Sequence, residues 1–276
     1  MRKPPSAADA ATRTSRRVRF PGGSGHELAA IVDSAGPPEG SPVILFSHCF
    51  TCSKDLKAIV RISRRLAELG FTLLRYDMTG LGQSHGDFAQ TNFTTNLADL
   101  QAAAAFAAQQ FGPPRFLIGH SFGGAASLAA AAARDSHDLL QELRGVITLA
   151  APADTQHLAT LLDRLNPAIE ATGQGDVTIG GLTWTITRQM LTDFRRHRLS
   201  DLIPQIDLPL LLFHSPEDQT VGFDEALRIM HLASAEPPAA TVNLITLSGA
   251  DHLLSNQPSD LTYVAELIAT FARRHL

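Results

Sequence analysis

Gly119-His120-Ser121-Phe122-Gly123 constrains this chain more than any other stretch, because of what lies on either side of it. Pro114-Arg115-Phe116-Leu117-Ile118 leads in as a short apolar run that reads as a buried parallel strand. Gly124-Ala125-Ala126-Ser127-Leu128 and the alanines to Ala133 lead out, and these are strong helix formers. A serine between a strand and a helix, with glycine two residues to either side, reads as a nucleophile elbow. So tight a turn strains the serine backbone and leaves almost no room for side chains at the flanking positions. It also projects the hydroxyl at the carboxyl end of the sheet, where the N-terminal amides of the next helix face the reacting oxygen. The five-residue pattern alone is weak in a chain with 20 glycines, and an ordinary tight turn is its bland alternative. The strand before and the helix after are what give it weight.

The rest of the chain repeats the same alternation. With 276 residues and 44% hydrophobic content there is material for one large α/β domain or two small ones. Residues 1–14 are polar and contain alanine and proline, so they are expected to be disordered. Arg17–Phe20 and Glu27–Val32, split by Pro21-Gly-Gly-Ser-Gly25, read as an antiparallel edge hairpin. Pro42–Phe46 reads as a buried strand. Ser53–Leu69 reads as a helix with Leu56, Ile59, Val60, Ile62 and Leu66 at helical spacing and Gly70 as its stop. Strands are expected over Phe71–Tyr76, Gly145–Ala150, Leu208–His214 and Thr241–Leu247, and helices over Thr94–Phe111 and Asp260–Arg274. Such alternation means a mostly parallel sheet covered by helices on both faces.

Residues 153–206 break the rhythm. They hold a helical segment around Gln156–Leu165, a hairpin signal at Val177–Ile186 around Gly180-Gly181, and a helix over Arg188–Arg198. A small insertion beyond a strand's carboxyl end lies where a lid would lie, between core segments 15–152 and 207–276. Trp184, the only tryptophan, together with Ile179, Leu182 and Ile186 either lines a substrate cavity or forms the insertion's own core.

A serine hydroxyl needs a base, and the base needs an orienting carboxylate. After an elbow of this kind the acid and then the histidine are expected in loops past later strands. Pro209–Asp218 runs from a strand into an acid, and Val242–His252 runs from a strand into a histidine, so Ser121, Asp218 and His252 fall in the expected order. Glu217 and Asp224 compete with Asp218. Asp251 is disfavoured because neighbouring side chains diverge. The oxyanion hole should combine the amide of Phe122 with one from the loop Ser47-His48-Cys49-Phe50-Thr51, and Phe50 is the choice there. Cys49 in that loop is a candidate substrate contact.

Over roughly Arg17 to Leu276 the chain resembles the α/β-hydrolases. Beyond the elbow, Asp77-Met-Thr-Gly-Leu-Gly-Gln-Ser84 is similar to that family's D-x-x-G-x-G-x-S loop. Ser47-His-Cys-Phe-Thr-Cys-Ser-Lys-Asp55 and Asp251-His-Leu-Leu254 resemble hydrolase modules that some bacteria join to an OsmC-like domain, themselves similar to the serine aminopeptidase and lysophospholipase branch. Most relatives have glycine after the loop histidine, where this chain has Cys49. The resemblance implies an α/β-hydrolase fold: a mostly parallel eight-stranded sheet, helices on both faces and a small lid insertion.

The expected chemistry is acyl transfer to water, with a carboxylic ester of hydrophobic acyl or alcohol part as substrate. Thioesterase or aminopeptidase action on the same residues is the nearest alternative, although no acidic cluster for a substrate amino group is evident beyond Glu170 and Asp176. From other classes, Cys49-Phe-Thr-Cys52 allows a C-x-x-C thiol oxidoreductase, and the fold alone allows a non-catalytic binding protein. Two cysteines make no disulfide framework, and His48, Cys49 and Cys52 lack a fourth metal ligand of the usual spacing, so no metal or cofactor is expected. A net charge of −4 without a dense basic block argues against nucleic acid. No signal core or membrane-length apolar run is evident, so a cytoplasmic monomer or homodimer away from membranes is expected.

Overall fold

The computed structural model describes residues 12–235 and 240–276. In chain order its first half comprises β1 (Arg13–Pro21), β2 (Glu27–Ala35), β3 (Val43–Ser47), α1 (Lys57–Glu68), β4 (Thr72–Tyr76), α2 (Phe93–Gln110), β5 (Pro114–His120), α3 (Phe122–Ala132) and β6 (Gly145–Leu149). There follow α4 (Gln156–Leu165), α5 (Ala168–Thr172), β7 (Gln174–Ile179), β8 (Leu182–Thr187), α6 (Arg188–Arg196) and α7 (Leu199–Leu202). The chain closes with β9 (Leu210–His214), α8 (Phe223–Ser234), β10 (Val242–Thr246) and α9 (Pro258–His275).

Eight strands form one sheet in the order β1-β2-β4-β3-β5-β6-β9-β10, antiparallel at the β1-β2-β4 edge and parallel beyond. The parallel strands are continuous apolar runs because helices cover both their faces. On one face α2 and the alanine-rich α3 bury Leu100, Ala103, Ala104, Ala125 and Leu128 together with the insertion's apolar residues. On the other, α1 and α9 bury Ile59, Ile62, Leu66, Val264, Ile268 and Phe271. A large aliphatic side chain buried in this way contributes about 1.5–3 kcal/mol relative to exposure.

Parallel register brings the loops together at one end of the sheet. Ser47 pairs with Gly119, and His120 pairs with Leu149, so the chain leaves β3, β5 and β6 side by side. Thr246 pairs with His214, which sets the loops after β9 and β10 next to one another. The α4-to-α7 insertion rises from this same edge. Its helices bury Leu162, Ile169, Met190, Leu191 and Phe194 against the α2–α3 side. Its β7–β8 hairpin turns at Gly180 (φ 60°) and Gly181 (φ 79°), a left-handed pair that glycine adopts without strain.

Some boundaries differ from the sequence expectation. Arg13 and Thr14, placed with the disordered start, belong to β1 and pair with Ala35 and Ser34; the expectation for residues 1–11 lies outside the described residues. α1 begins at Lys57, not Ser53. Asp77 holds both the Lys54 backbone amide (2.7 Å) and its ammonium (2.8 Å), which pins residues ahead of the helix to the loop after β4. α8 was not anticipated, because its buried positions Ala226, Ile229 and Ala233 give too small an apolar stripe. No described helix is long and apolar enough to cross a membrane.

Candidate active site

The chain enters α3 through a strained residue. Ser121 has φ 53° and ψ −117°, a conformation that costs a non-glycine residue about 1–3 kcal/mol. The neighbouring glycines make the turn possible. A Cβ on Gly119 would lie 2.2 Å from the Gly123 carbonyl oxygen, and one on Gly123 would lie 2.3 Å from the carbonyl oxygen of Ser47. Gly123 thus also lets α3 approach the loop after β3. The Ser121 amide donates to the Leu149 carbonyl at 2.8 Å, which ties the elbow to β6.

Three side chains from three loops form a hydrogen-bonded chain. The Ser121 hydroxyl donates to His252 Nε2 at 3.0 Å, and His252 Nδ1–H donates to Asp218 Oδ2 at 2.7 Å. Asp218 Oδ1 accepts the amides of Thr220 (2.8 Å) and Val221 (3.0 Å). Burial by itself would raise the Asp218 pKa. The hydrogen bond and charge of His252 and the two amides outweigh burial and hold the carboxyl below its usual range. The competing acids are engaged elsewhere. Glu217 accepts from Ser215 Oγ and from the Gly249 amide, Asp251 accepts from Ser255, and Asp224 is exposed in the first turn of α8.

Three further histidines, which sequence reasoning left without a role, each fasten a loop at this end of the sheet. His120 Nε2–H donates to the His252 carbonyl at 2.7 Å. Burial, and then the nearby His252, push the His120 pKa down to about 3, so the ring stays neutral. His214 Nε2–H donates to the Val221 carbonyl at 2.8 Å across the Asp218 loop, and burial lowers its pKa as well. His48 Nδ1–H donates to the Cys49 carbonyl (2.8 Å) while Nε2 accepts the Met78 amide (3.1 Å). Burial dominates there too and keeps His48 below the ordinary histidine value. Their positions directly after β3 and at the ends of β5 and β9 were visible in the sequence, but their partners were not.

Phe50 and Phe122, the anticipated oxyanion donors, both border the cavity above Ser121, with ring centroids 5.5 Å apart. Neither backbone amide makes a hydrogen bond among the described residues, so both remain free to donate to a ligand. Cys49 and Cys52 form a disulfide that encloses Phe50 and Thr51, with a Cα–Cα distance of 5.3 Å. This corrects the expectation that the two cysteines make no disulfide. The pair also precedes α1 by several residues instead of sitting at its first turn, and neither sulfur remains as a thiolate ligand for a metal.

The cavity has a volume of about 420 Å³ and runs from Ser121 and His252 out between α4 and the β7–β8 hairpin. Cys49 is in its wall, as are Ile179 and Leu182. Trp184 is not, and its assignment to the substrate pocket is corrected. It lies across from Val177, two residues nearer the hairpin base than Leu182, and stacks edge-on against Phe88 at 4.9 Å. Ile186 is fully buried in the insertion's core. No Asp, Glu, Lys or Arg lines the cavity among the described residues.

The comparisons with known proteins agree with this architecture. Residues 42–172 match the family described as serine aminopeptidase S33. The chain is 39% identical to the esterase domain of a Rhodothermus marinus protein, with 95% of this chain and 99% of that one covered and a TM-score of 0.72. Est1E from Butyrivibrio proteoclasticus, solved with ferulic acid, shares the fold at 21% identity and a TM-score of 0.78, covering 94% of this chain and 99% of that one. Monoglyceride lipases of Rattus norvegicus and Homo sapiens are each 23% identical over 249 residues, which covers 82% of this chain and 80% of theirs. The narrower resemblance to OsmC-joined modules is not among these findings. By its eight-stranded sheet, its elbow and its relatives, this chain belongs to the α/β-hydrolase family, on the esterase and lipase side of it.

Proposed function

We propose that the chain is a serine hydrolase that cleaves an uncharged carboxylic ester through an acyl-enzyme. In this reading Ser121 attacks the ester carbonyl while His252 takes its proton, and His252 then returns that proton to the departing alcohol. Water, deprotonated by the same imidazole, releases the acid in the second half. Asp218 holds the imidazole in the tautomer with Nδ1 protonated and stabilises the imidazolium. The Phe50 and Phe122 amides receive the negative charge that develops on the carbonyl oxygen. Residues 153–206 act as a cap that keeps water away from the acyl-enzyme.

The observation that carries this reading is the hydrogen-bonded Ser121–His252–Asp218 chain opening onto a cavity without charged side chains. The same observation favours an ester over an aminopeptide. A substrate ammonium taken out of water needs a carboxylate partner, and the two acids weighed for that role are occupied outside the cavity. Glu170 pairs with Arg195, and Asp176 accepts from Thr185 at 2.8 Å. Nor, among the described residues, does a Lys or Arg line the cavity to receive the phosphates of a coenzyme thioester. The names of the similar proteins, esterase and monoglyceride lipase, point to esters as well.

A panel of p-nitrophenyl esters run beside aminoacyl-nitroanilides tests the proposal. Ester turnover should exceed anilide turnover. Ser121→Ala should lower kcat by roughly 10⁴–10⁶ with the fold intact, and fluorophosphonate labelling of Ser121 should vanish in His252→Ala. Faster anilide cleavage, or normal labelling without His252, would overturn it.

A further inference from the structure

α4 presents two adjoining apolar stripes. Ala159 and Leu162 are fully buried and face the core. Leu158, Leu161 and Leu165, three and then four residues apart, form the second stripe and line the cavity. Their exposure increases along the helix, from a half-buried Leu158 packed against the core to Leu165 at 52%. α4 starts just after Pro152 and Thr155, which line the cavity near the elbow, so the stripe leads outward from Ser121. The facing wall is the hairpin tip, where Ile179 is half-buried and Leu182 is 61% exposed. A Cβ on Gly180 or Gly181 would meet nothing within 4 Å, so the outer end of the cleft is open.

An apolar cleft that reaches a serine at one end and leaves Leu165 and Leu182 in water at the other is costly unless an apolar ligand covers it. We infer that this cleft is the binding groove for a straight aliphatic chain of the ester, that its depth favours a chain of about eight carbons, and that Leu161 and Leu165 set the preference. The depth follows from the helix. Leu158 to Leu165 spans about 10 Å at 1.5 Å per residue. An extended alkyl chain, with bonds of about 1.5 Å at tetrahedral angles, covers that length in about eight carbons. Because the far end is open, longer chains emerge into solvent instead of colliding with a wall. The specificity constant should therefore climb with chain length and then level off.

The inference rests on the ester-hydrolase reading, and the experiment separates the two. kcat/KM is measured for p-nitrophenyl esters from acetate to dodecanoate, and for acetate esters of alcohols from methyl to dodecyl. The two series show whether the chain lies on the acyl or the alcohol side. In one of them kcat/KM should rise about threefold per carbon and level near eight carbons, as burial of one methylene after another would give. Leu161→Trp, which fills the groove midway, should move the plateau to about four carbons. Leu165→Asp alters an exposed position that leaves folding unaffected, and it should lower the octyl-to-butyl preference about tenfold. A flat profile in both series, with Ser121 still labelled by fluorophosphonate, would overturn the chain-length inference and leave the hydrolase reading standing. So would an unchanged octyl-to-butyl preference in folded Leu165→Asp. Absence of both turnover and labelling would take down both.

Discussion

Asp218 sits behind His252 with its side chain wholly buried and both oxygens occupied. Its value to the proposed reaction lies in the imidazole orientation that it enforces, and an amide at this position would face Nδ1 with the wrong hydrogen. Asp218→Asn should therefore lower kcat by about 10⁴ while KM for a short ester stays within a few-fold. Glu217, next to it in sequence, joins Ser215 to the Gly249 amide at the surface and does not reach His252. Glu217→Gln should cost less than about tenfold, since an exposed hydrogen bond is worth little. Steady-state kinetics on the two variants checks this, and the reverse order would move the acid assignment to Glu217.

At the scale of elements, the loop between β3 and α1 is held at three points. His48 donates to its Cys49 carbonyl, Asp77 takes the Lys54 amide and ammonium, and the Cys49–Cys52 disulfide closes the stretch that carries the Phe50 amide. Thr51 inside the disulfide has φ 58°, a backbone that a free threonine would leave. A bridge closing so short a loop adds little to global stability, about 2 kcal/mol on the chain-entropy view. On the proposed role of the Phe50 amide its local effect is larger, because losing an oxyanion donor costs roughly 10²–10³ in kcat. The Cys49→Ser, Cys52→Ser chain should accordingly lose at least about tenfold in kcat, while its Tm falls by no more than about 5 °C. Parallel kinetics and thermal melts decide the matter. Full activity in the double variant would mean that His48 and Asp77 position the loop unaided.

For the molecule as a whole, the three buried histidines link the fold to pH. Each has a folded pKa below its unfolded value, so in acid the unfolded chain binds protons that the folded chain does not. Stability is then complete above the ordinary histidine value of about 6.5 and falls as pH drops below it. For His120 the loss continues toward its folded pKa of about 3. His120→Gln keeps an amide donor for the His252 carbonyl but cannot titrate. Denaturant unfolding measured between pH 4 and pH 7 should show a shallower slope in this variant, by about 1.4 kcal/mol per pH unit for the one missing proton. An unchanged slope would show that His120 already charges within the folded protein. The insertion belongs to this scale too. Its core is continuous with the α2–α3 side of the sheet, so destabilising one should loosen the other.

Elements written in local backbone rules could be read from the chain alone. α4 was legible in outline because its apolar positions repeat at helical spacing, and the β7–β8 turn because two glycines admit left-handed backbone. The elbow and the strand-then-loop placement of Asp218 and His252 were legible for the same reason, since a serine between glycines and a polar loop after an apolar strand are short-range signals. Partners chosen across the fold were not. His120 reaches a carbonyl 132 residues away, and only the parallel register of β5, β6, β9 and β10 brings the two together. Trp184 turned to Phe88 instead of the cavity because the hairpin base is filled by the loop before α2, which periodicity cannot report. The closure of Cys49 onto Cys52 was likewise undecided by a spacing of three, because sulfur separation depends on the path that His48, Lys54 and Asp77 impose on the loop. Sterics and periodicity act between neighbours in the chain and so determined the elements. Side-chain direction and long-range hydrogen bonding depend on what packs alongside, and only the tertiary structure decided them.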